Sequence, residues 1–364
     1  MTAGYLVLDT GHVFEGIRIG ADKEPEGELV FNTAMTGYQE MMTDPSYKGQ
    51  ILTFTYPMIG NYGWNNIDDE SERPAAEGVI INDDCHEPNH HESAGTIHDY
   101  LVSHGVAGLA GVDTRALVKI IRKSETVRAR IVSTLSEAEE FRSGASSEIQ
   151  LVAEVSIKEV KHYSEGEGAH VVLFDYGSKA SIPQALKKAG CRVSIVPFDT
   201  TLETVKQLNP DGILFSNGPG DPQALREYLP EIYNITMEFP CLGVCLGHQL
   251  MALAHGAETE KMPFGHRGSN HPVKHLSTGK VSMTSQNHGF VIREKTLGDT
   301  GFEPLFVNVN DKTVEGIQHK FLPLQSVQFH PEAHPGPSDT AYIFDEFVKS
   351  LATGGKKLCR TVSV

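Results

Sequence analysis

From Val171 onward, short apolar runs alternate with amphipathic stretches, and this rhythm restricts the chain more than any other feature. VVLFDY, starting at Val171, suits a strand buried on both faces. Ser181-Ile182-Pro183-Gln184 follows with capping-box spacing and an early proline, predicting a helix to Ala189 that stops at Gly190. CRVSIVP, GILFS and FPCLGVC supply further strands, LETVKQL a further helix, and QSVQF a late strand. Ala341, Phe344, Phe347, Val348 and Leu351 then form one helix face. Strand and helix alternating in this way imply a doubly wound, mostly parallel α/β sheet.

The first 130 or so residues read differently, as short strands and turns with some helix. Tyr5–Leu8 and His12–Ile19 flank Asp9-Thr10-Gly11, a hairpin turn, and a helix near Thr96–His104 ends before Gly105. The expected organisation is a smaller mixed β/α N-terminal domain over 1–150, a linker over 151–169, the α/β domain over 170–355 and a tail over 356–364. Within the linker, LVAEVSI is expected as a strand.

The sharpest local feature is Gly243-Val244-Cys245-Leu246-Gly247, between a strand and the helical LGHQLMALAH. Glycines two residues either side of a nucleophile let strand turn directly into helix, as in the hydrolase elbow. Cys245 would sit at a helix N-terminus, where partial positive charge favours thiolate over thiol. A buried structural cysteine in a tight turn is the plain alternative. The base is sought in Phe329-His330-Pro331-Glu332. Proline disfavours helix at His330, so the segment is expected extended, with His330 and Glu332 on one side. That supplies base and orienter for Cys245. A third segment, Ser216-Asn217-Gly218-Pro219-Gly220-Asp221-Pro222, follows a strand, and its glycines allow backbone amides to approach an oxyanion.

These segments together resemble the class I glutamine amidotransferases, and more closely the carbamoyl phosphate synthetase small-subunit family. PDGILFSNGPGDP, GVCLGHQLMALAHGA, FGHRGSNHPV, TSQNHGFV and VQFHPEAHPGPSD carry the likeness, as do FNTAMTGYQEMMTDPSYKGQIL, TYPMIGNYG and GVDTRALVK in the N-terminal half. The resemblance implies Cys245 as nucleophile, His330 as acid/base and Glu332 as its orienting partner. It implies oxyanion amides at Gly218 and Leu246, and glutamine held by Ser46, Gly218, Gly220, Leu246, Gln249, Asn287, Gly289 and Phe290, with His288 supporting. Two departures stand out: Phe329 precedes His-Pro-Glu where glycine is common, and Ser181 replaces asparagine in a Gly-x-Lys-x-Asn pattern. The resemblance further implies a large synthetase subunit as partner, using ATP and magnesium, since this chain has no Gly-x-x-x-x-Gly-Lys-Ser/Thr loop and needs no cofactor of its own. The N-terminal domain is the implied docking surface.

Composition narrows the alternatives. Net charge is -16, from 47 acidic against 31 basic residues, so a nucleic-acid partner is not expected. No apolar stretch approaches the roughly 20 residues needed to cross a bilayer. The start, MTAGYLVLDTG, lacks a signal-peptide pattern. Five scattered cysteines suit a reducing compartment, so a cytoplasmic protein is expected. Cys85, His86, His90 and His91, and His266, His271 and His275, follow no common zinc spacing and read as solvated loop residues. Two rival functions are a non-catalytic amidotransferase-fold scaffold and a cysteine protease built on the same elbow.

Overall fold

The computed structural model describes residues 2–124, 126–135 and 148–352, which fall into two compact units, Met1–Ser146 and Ser147–Val364. The first contains a closed barrel in the order Ala3–Leu8, Val13–Gly20, Ala107–Ala110, Gly78–Ile80, Gln50–Phe54, Glu26–Asn32, Arg128–Val132. Its first two strands form the expected hairpin, and pairing of Tyr5 with Val132 closes the ring. Neighbouring residues serve opposite faces. Leu29, Phe31, Ile51 and Ile80 join one buried cluster with Leu117 and Ile121. Val30, Leu52 and Val79 join another with Tyr38, Met42, Ile97 and Leu101. Burial on both sides explains why these strands lack a polar alternation. The helix Ile97–His104 begins in a true capping box: the Thr96 hydroxyl takes the Asp99 N–H while Asp99 returns the bond.

The second unit carries a ten-stranded sheet among the described residues. Its centre is five parallel strands, in the order Arg192–Pro197, His170–Asp175, Gly212–Phe215, Cys241–Val244, Leu324–Val327. Beyond Leu324–Val327 the antiparallel strands Val314–His319, Phe302–Asn308, Thr259–His275 and Val281–Ile292 extend it. Val172, Phe174, Ile213 and Phe215 face Val205, Ile232, Leu250 and Met251 on one side. Val171, Leu173, Leu214 and Val244 face Ile182, Leu186, Phe344 and Phe347 on the other. Helices on both faces make the centre doubly wound.

Three local expectations need correction. LVAEVSI is not a strand: Glu148–Val155 is helical, with Val152 buried and Leu151 and Val155 half-buried, an i, i+1, i+4 spacing that fits a helix. The 151–169 stretch read as linker also holds the strand Lys161–Ser164, paired antiparallel with Arg192–Pro197. Ser181 does not cap its helix. The chain is already helical at Ala180, which stands at the N-cap without a side-chain bond, and Ser181 is the first helical residue. The expected tail over 356–364 lies outside the described residues.

Candidate active site

The strand Cys241–Val244 passes into the helix Leu246–Ala254 through Cys245 alone, at φ 54° and ψ -103°. A non-glycine residue there is strained, and the surroundings hold it in place. The Cys245 N–H donates to Val327 O at 2.9 Å, and the Gly247 N–H to Ser216 O at 2.9 Å. The two flanking glycines are required by space. A Cβ on Gly247 would lie 2.2 Å from Phe215 O, and one on Gly243 would lie 2.7 Å from Met251 Sδ. The helix start thus presses directly onto neighbouring strands and presents the sulfur at their carboxyl ends.

Gly218 lies beside this corner. A Cβ there would meet Tyr176 O at 2.3 Å and Leu246 Cδ2 at 2.9 Å, so the two residues expected to supply oxyanion amides are adjacent. Gly220 adopts φ 90°, a conformation that favours glycine.

His330 follows the strand Leu324–Val327 and is anchored by its N–H to Ser285 O at 2.9 Å. Its Nδ1 donates to Glu332 Oε1 at 2.6 Å. The local geometry differs from the extended segment expected from sequence: Pro331 and Glu332 form a turn closed by Ala333 N–H to His330 O at 3.1 Å. The turn curls the carboxylate back to the ring. Both groups are buried. Burial opposes a charge on His330, but the Glu332 carboxylate and then Cys245 outweigh it and push its pKa up to about 10. Nε2 makes no well-formed hydrogen bond among the described residues, yet the sulfur lies close enough to favour the charged ring. Burial likewise opposes the Glu332 charge, and Lys179 and His330 overcome it, holding the carboxyl down at about 2.

Lys179 was not singled out by sequence reasoning. Its Nζ sits 3.3 Å from Glu332 Oε1, both side chains being buried, and it also donates to Ala333 O. The only sequence signal was its place in the Gly-x-Lys pattern. Gln328 was missed too. Its Nε2 approaches Cys245 Sγ at 3.7 Å, and its Oε1 accepts from Gln249 Nε2 at 2.9 Å. Gln249 Nε2 also donates to Phe290 O at 2.8 Å. Asn287 O faces the sulfur at 3.7 Å. Gly289 and Phe290 continue the same strand, and His288 turns its Nδ1 to Phe290 O at 2.9 Å. The structure therefore gathers Cys245, His330, Glu332, Gly218, Leu246, Gln249 and the 287–290 segment within the second unit. Ser46 belongs to the first unit, buried in the turn Pro45–Tyr47, with its N–H donating to Asp44 Oδ1 at 2.9 Å.

For metals, the structure regroups the histidines. His266, His288 and Glu315 offer ligand atoms within 4.8 Å of one another, and so do the exposed His90, His91 and Glu92. His275 instead packs edge-on against Phe306. Among the described residues no helix is long and apolar enough to cross a membrane.

A cysteine at a strand-to-helix corner, a buried imidazolium and close-packed glycine amides suit acyl transfer. Residues 172–350 match the family model for class-I glutamine amidotransferases, which defines the class of the second unit. Residues 6–131 match the carbamoyl-phosphate synthase small chain domain. A carbamoyl phosphate synthase arginine-specific small chain from Halalkalibacterium halodurans is 50% identical, over 97% of this chain and 98% of its own. Small chains from Listeria monocytogenes (47%; 96% and 97% covered) and Staphylococcus saprophyticus (46%; 95% and 95%) are similar throughout. The chain belongs to the carbamoyl phosphate synthase small-chain family and is its glutamine-amidotransferase subunit.

Proposed function

We propose that Cys245, His330 and Glu332 hydrolyse glutamine through a thioester, and that the ammonia passes to a large synthetase subunit. The Cys245 thiolate attacks the side-chain amide carbon, and the amides of Gly218 and Leu246 hold the oxyanion, each donor contributing about 3 kcal/mol in comparable sites. The His330 imidazolium gives a proton to the departing nitrogen, so ammonia leaves and the acyl group stays on sulfur. The now neutral ring takes a proton from water, which attacks the thioester and releases glutamate. The thiolate and imidazolium are regenerated. Glu332 keeps the ring oriented and charged, and Lys179 keeps Glu332 ionised. Gly220, Gln249, Asn287, Gly289 and Phe290 hold the substrate.

The observation that carries this reading is the buried His330–Glu332 pair at 2.6 Å, with the ring charged beside Cys245. A scaffold that had lost its chemistry would have no reason to retain a strained cysteine facing a buried imidazolium. The partner would use ATP and magnesium to make carbamoyl phosphate from bicarbonate, and likeness to an arginine-specific chain supports arginine synthesis as one destination. With the partner bound, Cys245→Ser should abolish glutamine-dependent carbamoyl phosphate formation while ammonia-dependent formation continues. Persistent glutamine-dependent synthesis in that variant would overturn the assignment.

A further inference from the structure

Behind the 285–290 segment lies a buried polar cluster that the mechanism above does not use. Along the strand Val281–Ile292, side chains alternate between faces. Ser285 pairs with His330, and Asn287 O meets the Cys245 sulfur. The intervening Gln286 and His288 are buried, and their side chains meet each other. There His288 Nε2 lies 2.6 Å from Gln286 Oε1, and the His288 ring packs edge-on against His266 at 5.0 Å. His266 is the cross-strand neighbour of His288. Its Nε2 reaches Asp311 Oδ2 at 2.7 Å, while its Nδ1 reaches Glu315 Oε1 at 3.1 Å and Gln286 Oε1 at 3.2 Å. Asn308 Nδ2 adds a bond to Glu315 Oε1 at 3.2 Å, and the His271 ring lies tilted against His266 at 4.9 Å. Glu315 also ties the cluster to the other half of the site, because its carbonyl accepts the Gln328 N–H at 2.9 Å.

We infer that His266, braced between Asp311 and Glu315, is a positioning residue that fixes the 286–290 segment as the glutamine-facing wall of the site. This rests on reading Asn287, Gly289 and Phe290 as substrate-holding groups. Two carboxylates opposite the two ring nitrogens call for two N–H donors, so the ring is an imidazolium. Burial opposes that charge, but Glu315 and Asp311 more than offset it and raise the pKa of His266. Burial first, and then the charge on His266, lower the pKa of His288. Such a cluster has one preferred arrangement, which fixes where the wall stands relative to the sulfur. The nucleophile and its acid rest on other elements. Disturbing the cluster should therefore weaken glutamine binding more than the chemical step.

The test uses the full chain with its synthetase partner and follows glutamate release. His266→Leu should raise KM for glutamine on the order of tenfold while kcat changes far less, and His266→Gln, which keeps one donor nitrogen, should recover part of the loss. Should His266→Leu fail to fold, Asp311→Asn at a half-exposed position tests the same brace, with a smaller KM increase expected. An unchanged KM in a folded variant, or a fall in kcat at constant KM, overturns the inference while leaving the proposed function standing. Absence of glutaminase in the unaltered enzyme overturns both. One zinc ion retained per chain after dialysis, and lost in His266→Leu, would also overturn it, because a metal ligand cannot keep the proton the brace requires.

Discussion

Replacing Glu332 by Gln keeps the side chain's shape beside His330 but removes its charge. In the unaltered protein burial lowers the His330 pKa, and Glu332 and Cys245 together carry it from 6.5 to about 10. The Glu332 charge is the largest single favourable influence. Without it, burial acts against Cys245 alone, and the pKa should fall by roughly 2 units, equivalent to about 2.7 kcal/mol. In the proposed mechanism acylation needs the protonated ring, so the alkaline limb of kcat/KM should report this value for the free enzyme. The assay is glutamate release at low glutamine between pH 6 and 10, with the partner bound. The parent enzyme should hold its rate to about pH 9.5. In Glu332→Gln the rate at pH 9 should be about tenfold below its own value at pH 7, on top of any uniform loss from poorer orientation of the ring. An alkaline limb at the same pH in both proteins would refute the claim that Glu332 sustains the imidazolium.

Other outcomes follow from the same geometry. Lys179→Met should cost about 2 kcal/mol of stability at neutral pH, because it strips one of two partners from a buried carboxylate; thermal unfolding would measure it. The sign is fixed by Glu332, whose pKa is lowered from 4.5 to about 2. Its stabilisation is present above pH 4.5 and lost as pH falls toward 2, so the gap between parent and variant should narrow in acid. Gly247→Ala should abolish glutaminase, since its Cβ would stand 2.2 Å from Phe215 O and the elbow must shift; an active variant would count against the close packing described. Phe321→Ser, at a position 80% exposed, should leave unfolding within about 0.5 kcal/mol of the parent.

The elbow could be read from sequence because its cause is local: two glycines around one cysteine are what a strand entering a helix needs at close range. His330 and Glu332 could be paired because they are two residues apart, although a turn rather than an extended strand brings them together. Lys179 reaches Glu332 from 153 positions away, and only the sheet's strand order brings them together. The same holds for Gln328 against Cys245, and for the Asp311–His266–Glu315 brace, whose histidine looked like a solvated loop residue. The segment at Leu151–Ile157 was misread because a short apolar run rich in valine fits strand and helix alike, and its neighbours decide between them. Ser181 has the composition of a cap, but the helix begins one residue earlier than that spacing requires.

In the proposed mechanism one sulfur, at residue 245, carries the acyl group. Treating the complex with a chloroketone analogue of glutamine and mapping the adduct by peptide mass tests this directly. The expected result is one label per chain, on Cys245, slowed by added glutamine and matched by parallel loss of glutaminase. Full labelling of Cys245 with glutaminase intact would contradict it.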